Sequence, residues 1–261
     1  MILVVVVIDL AEVEVLIYCF YMQVGLKEGH PILSVRWPLT PMPEPEIGKV
    51  YGRLVFNLGS TNTVLIRDCG KNIVVDPGII QLGRYGALTA RLAEVGLTPR
   101  DVDIVVNTHC HYDHVESNYL FRGKRLIIHE KELDYCRELY WPEYADAFMN
   151  ILDVNAITED TTLTENVRVI ETTGHTPGSV SVVADTPEGV VAMVGDAVIV
   201  KEDLLEMRPP SVVTRNVSPE DALESLRRIA SLHPMLVIPG HDAPFTPHPN
   251  PEPQHTQRRY A

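Results

Sequence analysis

The chain has 261 residues, enough for one large domain or two small ones, and 45% hydrophobic with 22% charged residues suits a globular protein with a sizeable core. Lys and Arg number 22 against 35 Asp and Glu, a net charge of −13. That balance argues against a nucleic-acid binder, whose affinity leans on a basic surface, and against a polybasic membrane anchor.

Residues 1–8 are apolar but have no basic flank, and Asp9, Glu12 and Glu14 interrupt them. They read neither as a signal peptide nor as a membrane span, and a cytoplasmic location is expected. Residues 12–18 begin with alternation and predict a strand. The stretch 30–48 holds Pro31, Pro38, Pro41, Pro43 and Pro45 and predicts a loop, because proline fixes φ and lacks a donor. Three β-branched runs, 52–57, 62–68 and 72–76, predict an antiparallel meander with turns at Gly59 and Gly70. Leu88, Leu92 and Val95 share a helical face over 84–96, with Gly96 as the stop. Strands at 103–107 and 125–129 follow, then helical, aromatic-rich sequence over 130–152. Further strands are predicted at 166–171, 178–184, 189–195 and 235–238. Ser218, Pro219, Glu220 and Asp221 open a helix: an N-cap, proline in the first turn and acids at the positive end of the dipole. Strands in two groups, each followed by helices, predict an α+β fold of two face-to-face sheets with helices outside. One domain is expected over 1–261, with 1–48 an N-terminal strand and Pro-rich loop and 246–261 a loose tail. Cys19, Cys69, Cys110 and Cys136 are scattered and form no C-x-x-C pair, so no disulfide framework is expected.

The loop after 103–107 reads Thr108-His109-Cys110-His111-Tyr112-Asp113-His114. His109 and His111 are two apart, so in extended backbone they point to one side. Imidazole nitrogens and carboxylate oxygens suit zinc and similar first-row metals. His175 lies in G-H-T-P-G, Asp196 follows Gly195 at the end of a strand, and His241 follows Gly240 at the end of another. Each candidate sits at a strand end in a Gly- or Pro-shaped loop, where sites are commonly built. His30, His129, His233, His248 and His255 match no motif and are assigned to surface or structural roles.

The series H-x-H-x-D-H, G-H-T-P-G, G-D and G-H resembles the metallo-β-lactamase superfamily over roughly residues 50–245. The resemblance implies a four-layer αβ/βα sandwich. It implies one metal held by His109, His111 and His175, a second held by Asp113, His114 and His241, and Asp196 bridging them. Asp76 matches a position that supports the site from behind. Two divalent ions are expected, zinc first, with iron or manganese as alternatives. A hydroxide shared between them would be the nucleophile, and Asp113 would orient it and pass a proton to the leaving group.

Asp196 stands where true β-lactamases commonly place Cys or Ser, and His111 where flavodiiron proteins carry Glu, so antibiotic hydrolysis and that redox chemistry are disfavoured. The chain looks closest to quorum-sensing lactonases, while glyoxalase II enzymes carry a helical extension beyond the last motif. It departs from the lactonases in one respect: Ile199 replaces the tyrosine they place three residues after the bridging Asp. The expected reaction is hydrolysis of a small ester, lactone or carboxylic, with promiscuity on phosphotriesters. The alternatives are a phosphodiesterase or nuclease of the same fold, and a mononuclear-iron oxidoreductase like the persulfide dioxygenases. A small-molecule substrate is expected, with no nucleic acid and no membrane; a homodimer is open by analogy with relatives of this size. Candidate pocket walls are Trp37, Leu39 and Met42, and Tyr140, Trp141, Tyr144 and Phe148. Residues 201–214 are a candidate lid, with Arg208 or Arg215 meeting an anionic group.

Overall fold

The computed structural model describes residues 10–27, 30–36, 53–79, 86–140, 142–210 and 217–247. In the first sheet, β1 (Glu12–Ile17), β5 (Thr63–Asp68), β6 (Lys71–Val75), β7 (Ile104–Val106), β8 (Arg125–His129) and β9 (Asp153–Ile157) lie side by side in that order. The strands from β1 to β6 pair antiparallel and those from β6 to β9 parallel. In the second, β10 (Thr161–Thr162), β11 (Val167–Glu171), β12 (Val180–Thr186), β13 (Gly189–Gly195) and β14 (Leu236–Pro239) are consecutive, and only the β13–β14 pair is parallel.

Period-two side-chain alternation explains why these sheets stack. Val64, Ile66, Ile73, Val75, Ile104, Val106 and Ile127 face Val180, Val182, Val191, Met193 and Ile238 across the inter-sheet core. Their sequence neighbours Leu65, Val74, Val105, Leu126 and Ile128 point the other way, onto helices α1 (Ala87–Glu94), α3 (Glu130–Leu139) and α4 (Pro142–Met149). On the far side Ala192, Val194 and Val237 meet Leu226 and Ile229 of α6 (Pro219–Ser231). The layers are therefore helix, sheet, sheet and helix. Each fully buried aliphatic side chain contributes about 1.5–3 kcal/mol.

The alternation and caps read from the sequence hold. Ser218 accepts from Asp221 N in a capping box, and Gly96 ends α1 with φ of 77°. Two readings need correction. Residues 30–36 form a strand, β3 (His30–Arg36), which pairs with β2 (Phe20–Lys27); β3 is an edge strand, where a proline is tolerated. Residues 37–48 lie outside the described residues. The run read as the first arm of a meander, β4 (Arg53–Ser60), pairs with β2 in a third sheet and not with β5. Between β4 and β5 only Thr61 and Asn62 intervene, and both are buried and bonded to the loop after β14, so the chain turns into another sheet there. The helical reading of 130–152 holds as two helices, with Pro142 opening the second, and 201–205 forms a short helix, α5 (Lys201–Leu205).

Candidate metal centre

The candidate ligands all follow strand ends along one edge of the two sheets. After β7 the chain bends at Thr108 and His109, and His111, at φ −62° and ψ 146°, flanks α2 (Tyr112–Val115), which carries Asp113 and His114. His175 sits between β11 and β12, Asp196 follows β13, and His241 follows β14.

These side chains converge. His111 Nδ1 is 3.0 Å from His109 Nε2 and 2.9 Å from His175 Nε2. Asp113 Oδ2 is 3.3 Å from His241 Nε2. The carboxylate of Asp196 stands between: Oδ2 is 3.4 Å from His175 Nε2, while Oδ1 is 3.2 Å from His114 Nε2 and 3.3 Å from His241 Nε2. Two groups of potential ligands result, His109, His111, His175 and Asp196, and Asp113, His114 and His241, with the ligand atoms of each group within 4.8 Å of one another.

The donor set fits divalent cations. His114 Nε2 and Asp196 Oδ1 are buried and, although 3.2 Å apart, form no hydrogen bond of good geometry with each other or with any other group, a costly state unless an external group satisfies them. The nitrogens of His109, His111 and His175 that crowd together offer lone pairs to a common point.

Titration tendencies agree with neutral imidazoles at His109 and His111. Burial, then the neighbouring histidines, holds His109 well below its ordinary value, and burial above all pushes His111 down to about 4. The second group differs. Burial alone would depress His114, but the carboxylates of Asp196 and Asp76 outweigh it and raise it well above the ordinary range. His241 is also raised: burial opposes the rise, and Asp196 overcomes it. Asp196 is held far below the usual carboxylate range, since the surrounding imidazoles of His241, His114 and His175 outweigh its burial.

Outer contacts fix each ligand. Asp76, at φ 48°, bonds His114 Nδ1 through Oδ2 at 2.9 Å and accepts from Thr108 N at 2.7 Å and Thr108 Oγ1 at 2.6 Å. A non-glycine residue in the left-handed region stores strain, and such residues concentrate at functional sites. Tyr135 OH lies 3.1 Å from His111 Nε2. Because Nδ1 of His111 faces the centre, Nε2 carries the proton and donates to the phenol oxygen. The His241 loop is gripped from β4–β5: Asn62 Nδ2 donates to Pro239 O at 2.7 Å and Asp242 O at 2.8 Å, and Thr61 Oγ1 donates to Gly240 O at 3.0 Å.

The sequence profile of the Metallo-beta-lactamase superfamily matches residues 56–241. The chain belongs to that superfamily. A probable metallo-hydrolase of Methanocaldococcus jannaschii is 35% identical over 151 residues, covering 58% of this chain and 62% of that protein. An N-acyl homoserine lactonase of Bacillus thuringiensis is 28% identical over 156 residues, covering 58% and 60% respectively. The chain thus spans less than two thirds of the curated relatives' own length. A solved quorum-quenching N-acyl homoserine lactone hydrolase shares the fold with a TM-score of 0.63 at 22% identity, over 90% of this chain and 92% of that one. A dizinc quorum-quenching lactonase aligns with a TM-score of 0.51 at 18% identity, over 75% of this chain and 77% of that one.

Within this superfamily fold, the structure brings together every candidate ligand read from the sequence, and it sets Asp76 behind His114 as the resemblance implied. Tyr135, Glu132 and Asn62 were not singled out. Of the wall candidates, Trp37, Leu39, Met42 and Trp141 lie outside the described residues, as does Arg215. Arg208 is half-exposed and lies 3.9 Å from Asp203 and 3.6 Å from Glu206. His129 is buried, caps α3 and bonds Glu171, a structural role. The four cysteines are free thiols, and the Cys136 thiol together with burial drives Cys110 upward, so it stays neutral. Among the described residues no helix is long and apolar enough to cross a membrane.

Proposed function

We propose that the chain is a dinuclear metal-dependent hydrolase of a small ester, a lactone or other carboxylic ester, with phosphotriesters as secondary substrates. The observation that carries this reading is the placement of Asp196, whose two oxygens each face a different group of histidines. His109, His111 and His175 would hold one cation, Asp113, His114 and His241 the other, and Asp196 would touch both. Zinc suits this nitrogen-rich set, with iron or manganese as the alternatives. When bound, two such cations supply a water nucleophile at neutral pH and positive charge that polarises a carbonyl or phosphoryl oxygen.

The chain's own residues divide the remaining work. The side chain of Asp113 is 17% exposed against 7% for Asp196, so Asp113 is the carboxylate that an entering water or departing oxygen reaches. It orients the water and returns a proton to the leaving oxygen. Asp76 and Tyr135 hold His114 and His111 in one tautomer each. Ile199 offers no hydrogen bond to a substrate carbonyl.

A second cation group supports hydrolysis over the single-iron oxidoreductase alternative. The charge of −13 favours a small molecule over a nucleic-acid substrate. The test is elemental analysis of protein purified without added metal, followed by a panel of lactones, activated esters, phosphotriesters and bis(p-nitrophenyl) phosphate. Loaded protein that cleaves none of them sinks the proposal. Cleavage of the phosphodiester far exceeding that of the lactones would promote the nuclease alternative.

A further inference from the structure

Glu132 is fully buried, an expensive place for a carboxylate, and it lies outside the ligand groups. Its two oxygens have different partners. Oε2 accepts from Cys110 N at 2.9 Å, and Oε1 accepts from Gly178 N at 2.9 Å. Cys110 lies between His109 and His111, and Gly178 closes the G-H-T-P-G loop of His175. One side chain on α3 therefore ties the two loops that carry the first group of histidines.

The approach is close enough to dictate sequence. A Cβ on Gly178 would lie 2.8 Å from Glu132 N and 3.0 Å from Glu132 Cγ. One helical turn beyond Glu132, Tyr135 reaches His111 Nε2. The second group has its own contacts, with Thr61 and Asn62 gripping the His241 loop, while Asp76 bonds His114 directly and also Thr108, whose hydroxyl lies 3.2 Å from His109 Nδ1.

We infer that Glu132 is a positioning residue for the His109, His111 and His175 cation, acting on that site from the α3 side of the fold. This rests on the dinuclear reading above. A carboxylate accepting two backbone N–H groups sets the spacing of the loops, and with it the point where the three nitrogens meet. Outer residues of this kind commonly change metal affinity by about 10–100-fold.

The test is zinc titration of the full chain against a competing chelator, with zinc-edge anomalous diffraction to locate each ion. The variants are Glu132→Gln, which keeps volume and one acceptor, and Gly178→Ala, which keeps the carboxylate but displaces it. Thermal unfolding of each metal-free variant checks that it folds. Wild type is expected to show two binding steps. Each variant is expected to weaken one step by on the order of 10–100-fold, with the vacated position at His109, His111 and His175 and the other step unmoved. Equal weakening of both steps, as general structural damage would give, overturns the inference, as does loss at Asp113, His114 and His241 or no change at all. Wild type that binds no zinc overturns the dinuclear reading itself, and the inference with it.

Discussion

Replacing Gly240 with alanine separates folding from metal binding in a way the structure lets us work through. A Cβ built on Gly240 lies 1.9 Å from Asp196 Oδ1 and 3.1 Å from its Cγ. Real contacts of this kind stay beyond about 3.0 Å, so the carboxylate oxygen must retreat by roughly 1.1 Å. Gly240 is not in the left-handed region, so its backbone accepts alanine, and its N–H keeps Gly195 O at 2.9 Å. The nearest obstacle is the end of a side chain, with the backbone carbon of Gly195 behind it at 3.2 Å, so an overpacking cost of about 1–3 kcal/mol is expected. Metal–ligand distances tolerate only about 0.2 Å, so the same retreat removes Asp196 from its place between the two groups. Misplacement on this scale costs about 100-fold in rate. Urea unfolding of the metal-free protein, bound-metal analysis and kcat/KM on an activated ester give the three readouts. A Gly240→Ala protein with two metals and kcat/KM within about twofold of the parent would refute the reasoning.

Tyr135→Phe removes the acceptor for His111 Nε2 and is expected to lower affinity for one metal by about 10-fold, at about 1 kcal/mol of stability; unchanged affinity in the chelator titration would deny the contact its role. Asp68 is buried and accepts from Asn166 N at 3.0 Å and Asn166 Nδ2 at 2.8 Å, joining the first sheet to the residue before β11. Asp68→Ala should cost about 2–3 kcal/mol in urea unfolding. Burial alone would raise the Asp68 pKa, but its hydrogen bonds prevail and lower it. Its stabilisation is therefore present above the unfolded value of about 3.9 and is lost as pH falls through the lower folded value. Wild type and Asp68→Ala should converge in acid, and a gap that persists there contradicts this account. The pKa of His114 is raised by Asp196 and Asp76 against its burial. Zinc binding is therefore expected to release protons and to tighten as pH rises, and calorimetry that gives the same heat in buffers of different ionisation enthalpy would exclude the release.

What was legible in the sequence was local or periodic. The H-x-H-x-D-H loop spans one strand end and one helical turn, and Gly195 and Gly240 mark the places where Asp196 and His241 leave their strands. Apolar runs such as Val64-Leu65-Ile66 marked strands, while the split between inter-sheet and helix-facing side chains is set by the sheets on either side and has no signature in an unbroken apolar run. What escaped depends on partners far away in the chain. Thr61 and Asn62 look like ordinary turn residues, yet their bonds run to Gly240, Pro239 and Asp242, and those bonds send β4 into a different sheet from β5. Glu132 reads as one charge among several on an amphipathic helix. A faint signal was present, since Tyr135 and Cys136 follow at three and four residues and place Glu132 on the buried face. The backbone groups it ties, on Cys110 and Gly178, carry no side-chain signature at all.

The two histidine groups draw residues from loops of both sheets, with His109, His111, Asp113 and His114 following the first and His175, Asp196 and His241 the second. A cation seated in either group, with Asp196 in contact, would act as a cross-link between the sheets. Such an ion stabilises only the stacked arrangement, by about 2.7 kcal/mol per site at a free concentration one hundred times its dissociation constant. Metal supply would then add to the hold that the inter-sheet core already gives, and a chelator would lower the unfolding midpoint of the loaded protein.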